Sequence, residues 1–285
     1  METVCILYPG EMGAAVGRVA RDHGARVLWA SERRGDATRK RAAAAGLEEA
    51  GALRAALAAS DIVLSVCPPH AALQVAQSVA AQAFSGIYVD ANAVSPDTTR
   101  RVGAAVEAVG ATFVDGGIVG PPPSAAEGSR LYLCGREAER VARLFAGTPL
   151  TTVVLDAPVG AASALKACYA AWTKGTAALL ITTRALAERE GVAQALADEW
   201  RLSQPDLFKR LDRAIANTRK SWRWVGEMEE IAATFAAANL PDGFHSAAAE
   251  VFRRLERFKD DPSSRLEDVL AELFRVEPPQ RARRL

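Results

Sequence analysis

Aromatic residues make up only 6% of this chain, and its three histidines and four cysteines are scattered without pairing. His23, His70 and His245 lack metal-ligand spacing and no Cys-x-x-Cys occurs, so no metal site is expected. Cys5, Cys67, Cys134 and Cys168 form no disulfide framework, and the first two sit in apolar runs where cysteine behaves as a small hydrophobe. No Ser-His-Asp or Cys-His arrangement stands out, which leaves hydrolase chemistry little support. Charge of one sign is also missing: 35 basic and 34 acidic residues leave a net charge of +1. That balance argues against nucleic acid or an anionic membrane as the main partner. No uncharged apolar run is long enough to span a bilayer. The N-terminus enters a strand pattern within three residues, without the basic and apolar segments of a signal peptide. The expected compartment is the cytoplasm. Arg281 to Arg284, behind Pro278-Pro279, reads as a frayed basic tail.

What the chain does have is rhythm. Short apolar runs alternate with helical patterns through its first half. The strands are expected at Val4–Leu7, Arg26–Ala30, Asp61–Val66, Ile87–Asp90, Thr112–Asp115, Leu131–Leu133 and Thr152–Leu155. Helices are expected at Met12–His23, His70–Gln82 and Pro96–Glu107, with an alanine-rich helical stretch before Gly46. Strands alternating with helices make a mostly parallel sheet covered on both faces, and right-handed crossovers favour the doubly wound Rossmann arrangement. After Pro158 the strands stop. Gly160 to Gly191 reads as one helix of roughly 45 Å, followed by helices at Pro205–Asn217, Ser221–Ala238, Phe244–Phe258 and Leu266–Phe274. The fold class is thus α/β, with a Rossmann domain at 1–157 and an all-α domain at 158–285 joined by a long interdomain helix.

Between the first strand and first helix lies Tyr8-Pro9-Gly10-Glu11-Met12-Gly13, followed by Gly17. A Gly-x-Gly-x-x-Gly loop lets backbone amides approach a pyrophosphate at the positive end of a helix. Tyr8 stands in the first glycine position. Gly10 suits close phosphate approach, and Gly13 close packing of helix on strand. Gly10, Glu11, Met12 and Gly13 are therefore cofactor candidates. Val66, Cys67 and Pro68 after the third strand, and Asn92 after the fourth, complete that side. Cofactor choice is read after the second strand, where an acid holds a ribose hydroxyl and arginines hold a 2′-phosphate. Ser31, Arg33 and Arg34 favour NADP(H) over NAD(H), with Glu32 as contrary evidence.

Gly10-Glu11-Met12-Gly13, Asp90-Ala91-Asn92-Ala93-Val94-Ser95-Pro96 and Gly160-x5-Lys166 resemble, in order and spacing, the β-hydroxyacid dehydrogenase superfamily. That group includes 3-hydroxyisobutyrate and 6-phosphogluconate dehydrogenases and, more distantly, imine reductases. The stretches Asp115–Pro123 and Arg223–Glu230 look like a poorly characterised phosphogluconate dehydrogenase-like branch. Lys166 interrupts an apolar stretch, where an ammonium group needs a reason to be. Desolvation and a nearby nicotinamide would favour its neutral form, and the resemblance implies that it is the general acid/base.

Four departures bear on substrate. The family's asparagine is Ala170 here, and the glutamate of phosphogluconate decarboxylation is Thr173, which argues against that decarboxylation. Its Ser-Gly-Gly carboxylate cradle is Val119-Gly120-Pro121, and proline has no N–H to give. Asn92 replaces a serine. Tyr169, one turn after Lys166, offers a compensating hydroxyl. The substrate side is thus assigned to Asn92, Ala93, Gly120, Pro121, Thr173 and Trp224, with Lys166 and Tyr169 catalytic. Weaker candidates are the basic-aromatic cluster Arg219–Trp224, the Glu227/Glu230 pair, read as surface or interhelix contacts, and His245, read as capping or exposed. The expected activity is NADP(H)-dependent hydride transfer on a small hydroxy/oxo compound. Imine reduction and a non-catalytic NADPH sensor are the alternatives, and the resemblance implies a homodimer.

Overall fold

The computed structural model describes residues 1–275, so the basic tail lies outside the described residues. Two compact units emerge, Met1–Tyr169 and Ala170–Leu285. The first is built on an eight-stranded sheet: β1 (Thr3–Leu7), β2 (Arg26–Trp29), β3 (Glu48–Glu49), β4 (Ile62–Ser65), β5 (Ile87–Asp90), β6 (Thr112–Val119), β7 (Ser129–Cys134) and β8 (Leu150–Val154). Their spatial order is β3-β2-β1-β4-β5-β6-β7-β8. Every neighbouring pair is parallel except β6 and β7. The expected Rossmann order is present, reversing direction of travel beside β1.

Alternation along each strand sends side chains to two cores. Val4, Ile6, Ile62, Leu64, Ile87 and Val89 face one. Cys5, Leu7, Val63, Tyr88 and Phe113 face the other. Helices α1 (Glu11–Asp22) and α2 (Asp36–Ala44) supply the first core, through Val16, Val19 and Ala42. Helices α3 (Leu53–Ala58), α4 (Ala72–Ala80) and α5 (Pro96–Glu107) supply the second, through Leu57, Val75, Val79, Val102 and Val106. α5 begins for a local reason: Pro96 occupies its first turn, and Ser95 Oγ accepts from the Thr98 N–H.

The hairpin of β6 and β7 differs from expectation. β6 runs four residues past Asp115, through Gly116-Gly117-Ile118-Val119, because the antiparallel partner continues the ladder to Arg130. Two short helices in this unit, α3 and α6 (Ala138–Arg143), give too little periodicity to read from the sequence.

Helix α7 (Ala161–Arg189) starts in the first unit and ends in the second. Its opening turns pack on β6, which is why they belong with the sheet. The second unit continues with α8 (Ala193–Ser203), α9 (Leu207–Ala216), α10 (Trp224–Ala237), α11 (Gly243–Arg254) and α12 (Leu266–Leu273). α8 is an addition to the sequence reading. Ile181, Trp200, Leu211, Ile215, Leu255 and Val269 are among its core residues. Among the described residues, no helix is long and apolar enough to cross a membrane.

Candidate active site

The ends of β1, β4 and β5 lie side by side where the strand order turns, the place where open α/β sheets bind ligands. At the end of β1, Tyr8 takes φ 63, the left-handed region normally left to glycine. Holding a tyrosine there costs on the order of 1–3 kcal/mol. Gly10 N–H donates to the Tyr8 carbonyl at 2.7 Å, closing the turn. A Cβ on Gly10 would meet nothing within 4 Å, so the space above it is open. Gly13 is the reverse: its Cβ would lie 3.0 Å from the Tyr8 carbonyl oxygen and 3.5 Å from Ile6. Gly17 is equally tight against Ile6 and Leu47, each at 3.0 Å. α1 begins at Glu11 with no side-chain cap on its amides. Open approach at Gly10, close packing at Gly13 and an uncapped helix start fit a bound pyrophosphate. Glu11 is exposed and Met12 half-buried.

The loop after β2 sorts its arginines. Arg39 is spoken for by Glu49 and the Ser31 carbonyl, and Arg41 by the Pro9 carbonyl and Thr38 Oγ1. Arg33 is exposed, at φ 59. Arg34 lies over the Tyr8 ring, its guanidinium carbon 3.7 Å from the centroid, and its buried Nε has no hydrogen-bond partner among the described residues. Ser31 is 2% exposed, and its hydroxyl helps hold the Glu49 carboxyl below the usual range. It braces the loop from inside.

A polar row closes the apolar sheet. Leu7, Ser65, Asp90 and Asp115 are register partners across β1, β4, β5 and β6. Asn92 ties the ends of β4 and β5 together: its Oδ1 accepts from the Cys67 N–H at 2.6 Å, and its Nδ2 donates to Ser65 Oγ at 3.0 Å and to Asp90 Oδ1. Both amide hydrogens are therefore used inside the protein, and Asn92 is 3% exposed. The structure gives it a bracing role, with Val66 and Cys67 half-buried, Pro68 exposed and Ala93 half-buried around it. Burial pushes the Asp90 carboxyl up to about 7 against the opposing pull of the Asn92 donors, and the Asp115 charge adds to the rise.

Asp115 does something the sequence reading missed. Its Oδ2 accepts from the backbone N–H groups of Gly160 (2.8 Å), Ala162 (3.0 Å) and Ser163 (3.3 Å), and from the Cys134 thiol. Its Oδ1 accepts from Ser163 Oγ at 2.6 Å. A carboxylate from β6 thus caps α7, whose second turn carries Lys166. Two residues on, a Cβ at Gly117 would stand 2.6 Å from the Ala162 carbonyl oxygen and 3.1 Å from Lys166 Cβ. Only glycine lets the lysine-bearing turn come this close. The legible signal was three apolar runs ending in polar residues: Ile62–Ser65, Ile87–Asp90 and Thr112–Asp115.

Lys166 is half-buried, and Tyr169, one turn on, is 46% exposed. Thr173 follows on the same helix and is exposed. Gly120, at φ +124, packs on Ser129, whose hydroxyl donates to the Pro121 carbonyl. Val119 is buried in β6, while Gly120 and Pro121 are exposed. Arg18 of α1 donates to the Pro123 carbonyl at 3.0 Å, which pins this proline loop beside the cofactor helix.

In the helical unit, Trp224 packs edge-on against Phe252, with ring centroids 5.0 Å apart. Lys174 and the buried Glu227 form an ion pair beside it, so Glu227 is an interhelix contact. His245 is corrected: it is 8% exposed, tilted 4.2 Å from the Phe235 ring, and burial lowers its pKa. It neither caps α11 nor faces solvent.

Residues 4–146, half of the chain, match the model of the NAD binding domain of 6-phosphogluconate dehydrogenase. The chain belongs to that family. Residues 187–255 match a domain of unknown function, DUF1932. An uncharacterized 28.5 kDa protein in the 7S RNA 5′ region of Methanothermus fervidus is 28% identical over 200 residues, covering 69% of this chain and 76% of that one. A conserved hypothetical protein from Sinorhizobium meliloti 1021 is 26% identical, with a TM-score of 0.69 over 96% of both chains. Mycobacterium tuberculosis 3-hydroxyisobutyrate dehydrogenase, 19% identical, shares the fold at a TM-score of 0.72, over 96% of this chain and 100% of that one. As a member of the 6-phosphogluconate dehydrogenase NAD-binding family, the protein is an NAD(P)-dependent oxidoreductase of the β-hydroxyacid dehydrogenase superfamily. The open Gly10 and the Arg34 Nε lacking an acceptor suit such a cofactor.

Proposed function

We propose that this oxidoreductase uses NADP(H) to interconvert a small hydroxy compound and its oxo counterpart, with Lys166 as general acid and base. The observation that carries the reading is the placement of Lys166 on a turn seated against Gly117 and capped by Asp115. So much construction around one lysine-bearing turn favours a chemical task for it. The bound nicotinamide supplies or accepts the hydride. Lys166 Nζ takes the hydroxyl proton in oxidation and returns it in reduction. Gly10 and the first amides of α1 hold the pyrophosphate, and Arg33 and Arg34 hold a 2′-phosphate. Tyr169 adds a hydroxyl one turn from Lys166. With Thr173 in place of a glutamate, no carboxyl on this helix face protonates an enol, so the reaction proposed is redox without decarboxylation.

A homodimer is the proposed assembly. Trp172, Leu179 and Leu186 are exposed at seven-residue spacing along α7, a stripe that suits a second copy; sedimentation of the full chain as a monomer would remove this part. Four free thiols suit a reducing cytoplasm.

The test is nicotinamide absorbance with NADP(H) and NAD(H), in both directions, across hydroxyacids, oxoacids, aldehydes and cyclic imines. Lys166→Ala is expected to lower kcat for the hydroxy/oxo pair by about 10²–10⁴. Imine reduction that survives Lys166→Ala would overturn the assignment. NADPH binding without turnover of any substrate would favour a sensor.

A further inference from the structure

The cofactor loop departs from its fingerprint at Tyr8, and the ring of that residue has an occupation of its own. The Arg34 guanidinium stacks on it at 3.7 Å from the centroid. Both partners come from fixed backbone. Tyr8 is held by the turn to Gly10, and Arg34 N–H donates to the Ser31 carbonyl across a turn in which Arg33 is left-handed. Beside them is a cavity of about 280 Å³, bordered by Leu7 and Tyr8 after β1, Arg33 and Arg34 after β2, and Val75 and Val79 of α4. Glu32, exposed, also borders it. Arg39 and Arg41 are engaged elsewhere, so Arg33 and Arg34 are the arginines at its edge.

A guanidinium held over a ring still carries its fork of N–H donors, of which a phosphate can take two at once. Arg34 lines that cavity, which brings its guanidinium within reach of a ligand oxygen there. Holding the side chain in place beforehand removes most of the rotamer entropy that phosphate binding would otherwise consume.

We propose that Tyr8 is a specificity-determining residue: its ring is the platform that holds Arg34 ready for the 2′-phosphate of an adenosine cofactor. The inference rests on the NADP(H) reading above and deepens it. The tyrosine takes over the conformational role of the missing first glycine and adds a selective one. A cofactor with a free 2′-hydroxyl gains nothing from the platform.

Equilibrium titrations of the full chain with NADPH and with NADH, followed by cofactor fluorescence, test this without turnover. Tyr8→Gly is expected to weaken NADPH about tenfold, the scale of a partly desolvated cation–π contact, and to leave NADH unchanged. Tyr8→Phe keeps the platform and is expected to keep the preference. Arg34→Ala is expected to lose at least as much NADPH affinity as Tyr8→Gly, with the double variant no worse than Arg34→Ala alone. Glycine suits a left-handed position, so thermal melts should show Tyr8→Gly folded, and Tyr8→Phe stands as the control if they do not. Equal weakening of both cofactors, an unchanged ratio or additive losses would overturn the role of Tyr8 alone. A native protein without NADPH preference would overturn the cofactor reading first, and the platform with it.

Discussion

β5 ends on an aspartate and β6 carries one in mid-strand, at partnered positions of one sheet, and the two have very different partners. Asp115 receives three backbone N–H groups, a hydroxyl and a thiol. Among the described residues, Asp90 receives only the backbone and side-chain donors of Asn92, and its second oxygen is buried without a partner. Burial with so few donors favours the proton on Asp90. One aspartate is a strut between sheet and catalytic helix. The other is a titrating group beneath the Asn92 brace. Identical residue types on adjacent strands therefore do different work, and the difference lies in where the next element begins.

The largest effect is expected from Asp115→Ala. It strands the donors of Gly160, Ala162 and Ser163 in a buried place, at roughly 1–3 kcal/mol for each group left unsatisfied. A loss of about 3–9 kcal/mol in unfolding free energy is the expected sum, read by denaturant titration. Asp115→Asn keeps an acceptor and should lose clearly less. Equal losses would mean that the cap contributes nothing beyond shape.

Much of this arrangement was legible beforehand. Continuous apolar runs gave β1, β4 and β5 nearly to the residue, because both faces of each strand are buried. The glycine loop and Lys166 stood out because their residue types are costly or unusual where they occur. What stayed hidden was relational. Nothing local to Asp115 says that the start of α7 will arrive at its carboxylate, since 45 residues separate Asp115 from Gly160. Asn92 reads as a donor for ligand until Ser65, Cys67 and Asp90 are seen around it. Tyr8 reads as a defect in a fingerprint until Arg34 is found on its ring. His245 follows a turn signal, and only the packing of α10 and α11 buries it.

Gly117→Ala sharpens the contrast from the side of the helix. The added methyl would stand 2.6 Å from the Ala162 carbonyl oxygen, backbone that cannot simply rotate away. α7 must shift by a few tenths of an ångström or more. Overpacking of this kind costs about 1–3 kcal/mol, while displacement of Lys166 is expected to lower kcat on the order of 10²-fold. A thermal melt and steady-state kinetics together separate the two. Unchanged kcat in a destabilised variant would mean that the seat of Lys166 on β6 is structural only.

The last effect is a slope, spread over a range of pH. The Asp90 carboxyl, raised to about 7 from an ordinary value near 3.8, keeps its proton in the folded chain over a range in which the unfolded chain has lost it. The folded state then binds more protons, so folding stability falls as pH rises from about 4 to about 7 and levels off beyond. Asp90→Asn accepts from Asn92 as before but cannot titrate. Its stability relative to the native chain should therefore climb across that window, by on the order of 1 kcal/mol per pH unit. The other ionisable neighbours do not blur the reading: burial lifts the Cys67 thiol to about 12 and the Tyr88 phenol well above its usual range, and Asp115 is common to both proteins. Denaturant titrations of the two proteins at pH 4.5, 5.5, 6.5 and 8 supply the comparison. Parallel curves would show that Asp90 is ionised throughout, and would remove its role as a titrating group.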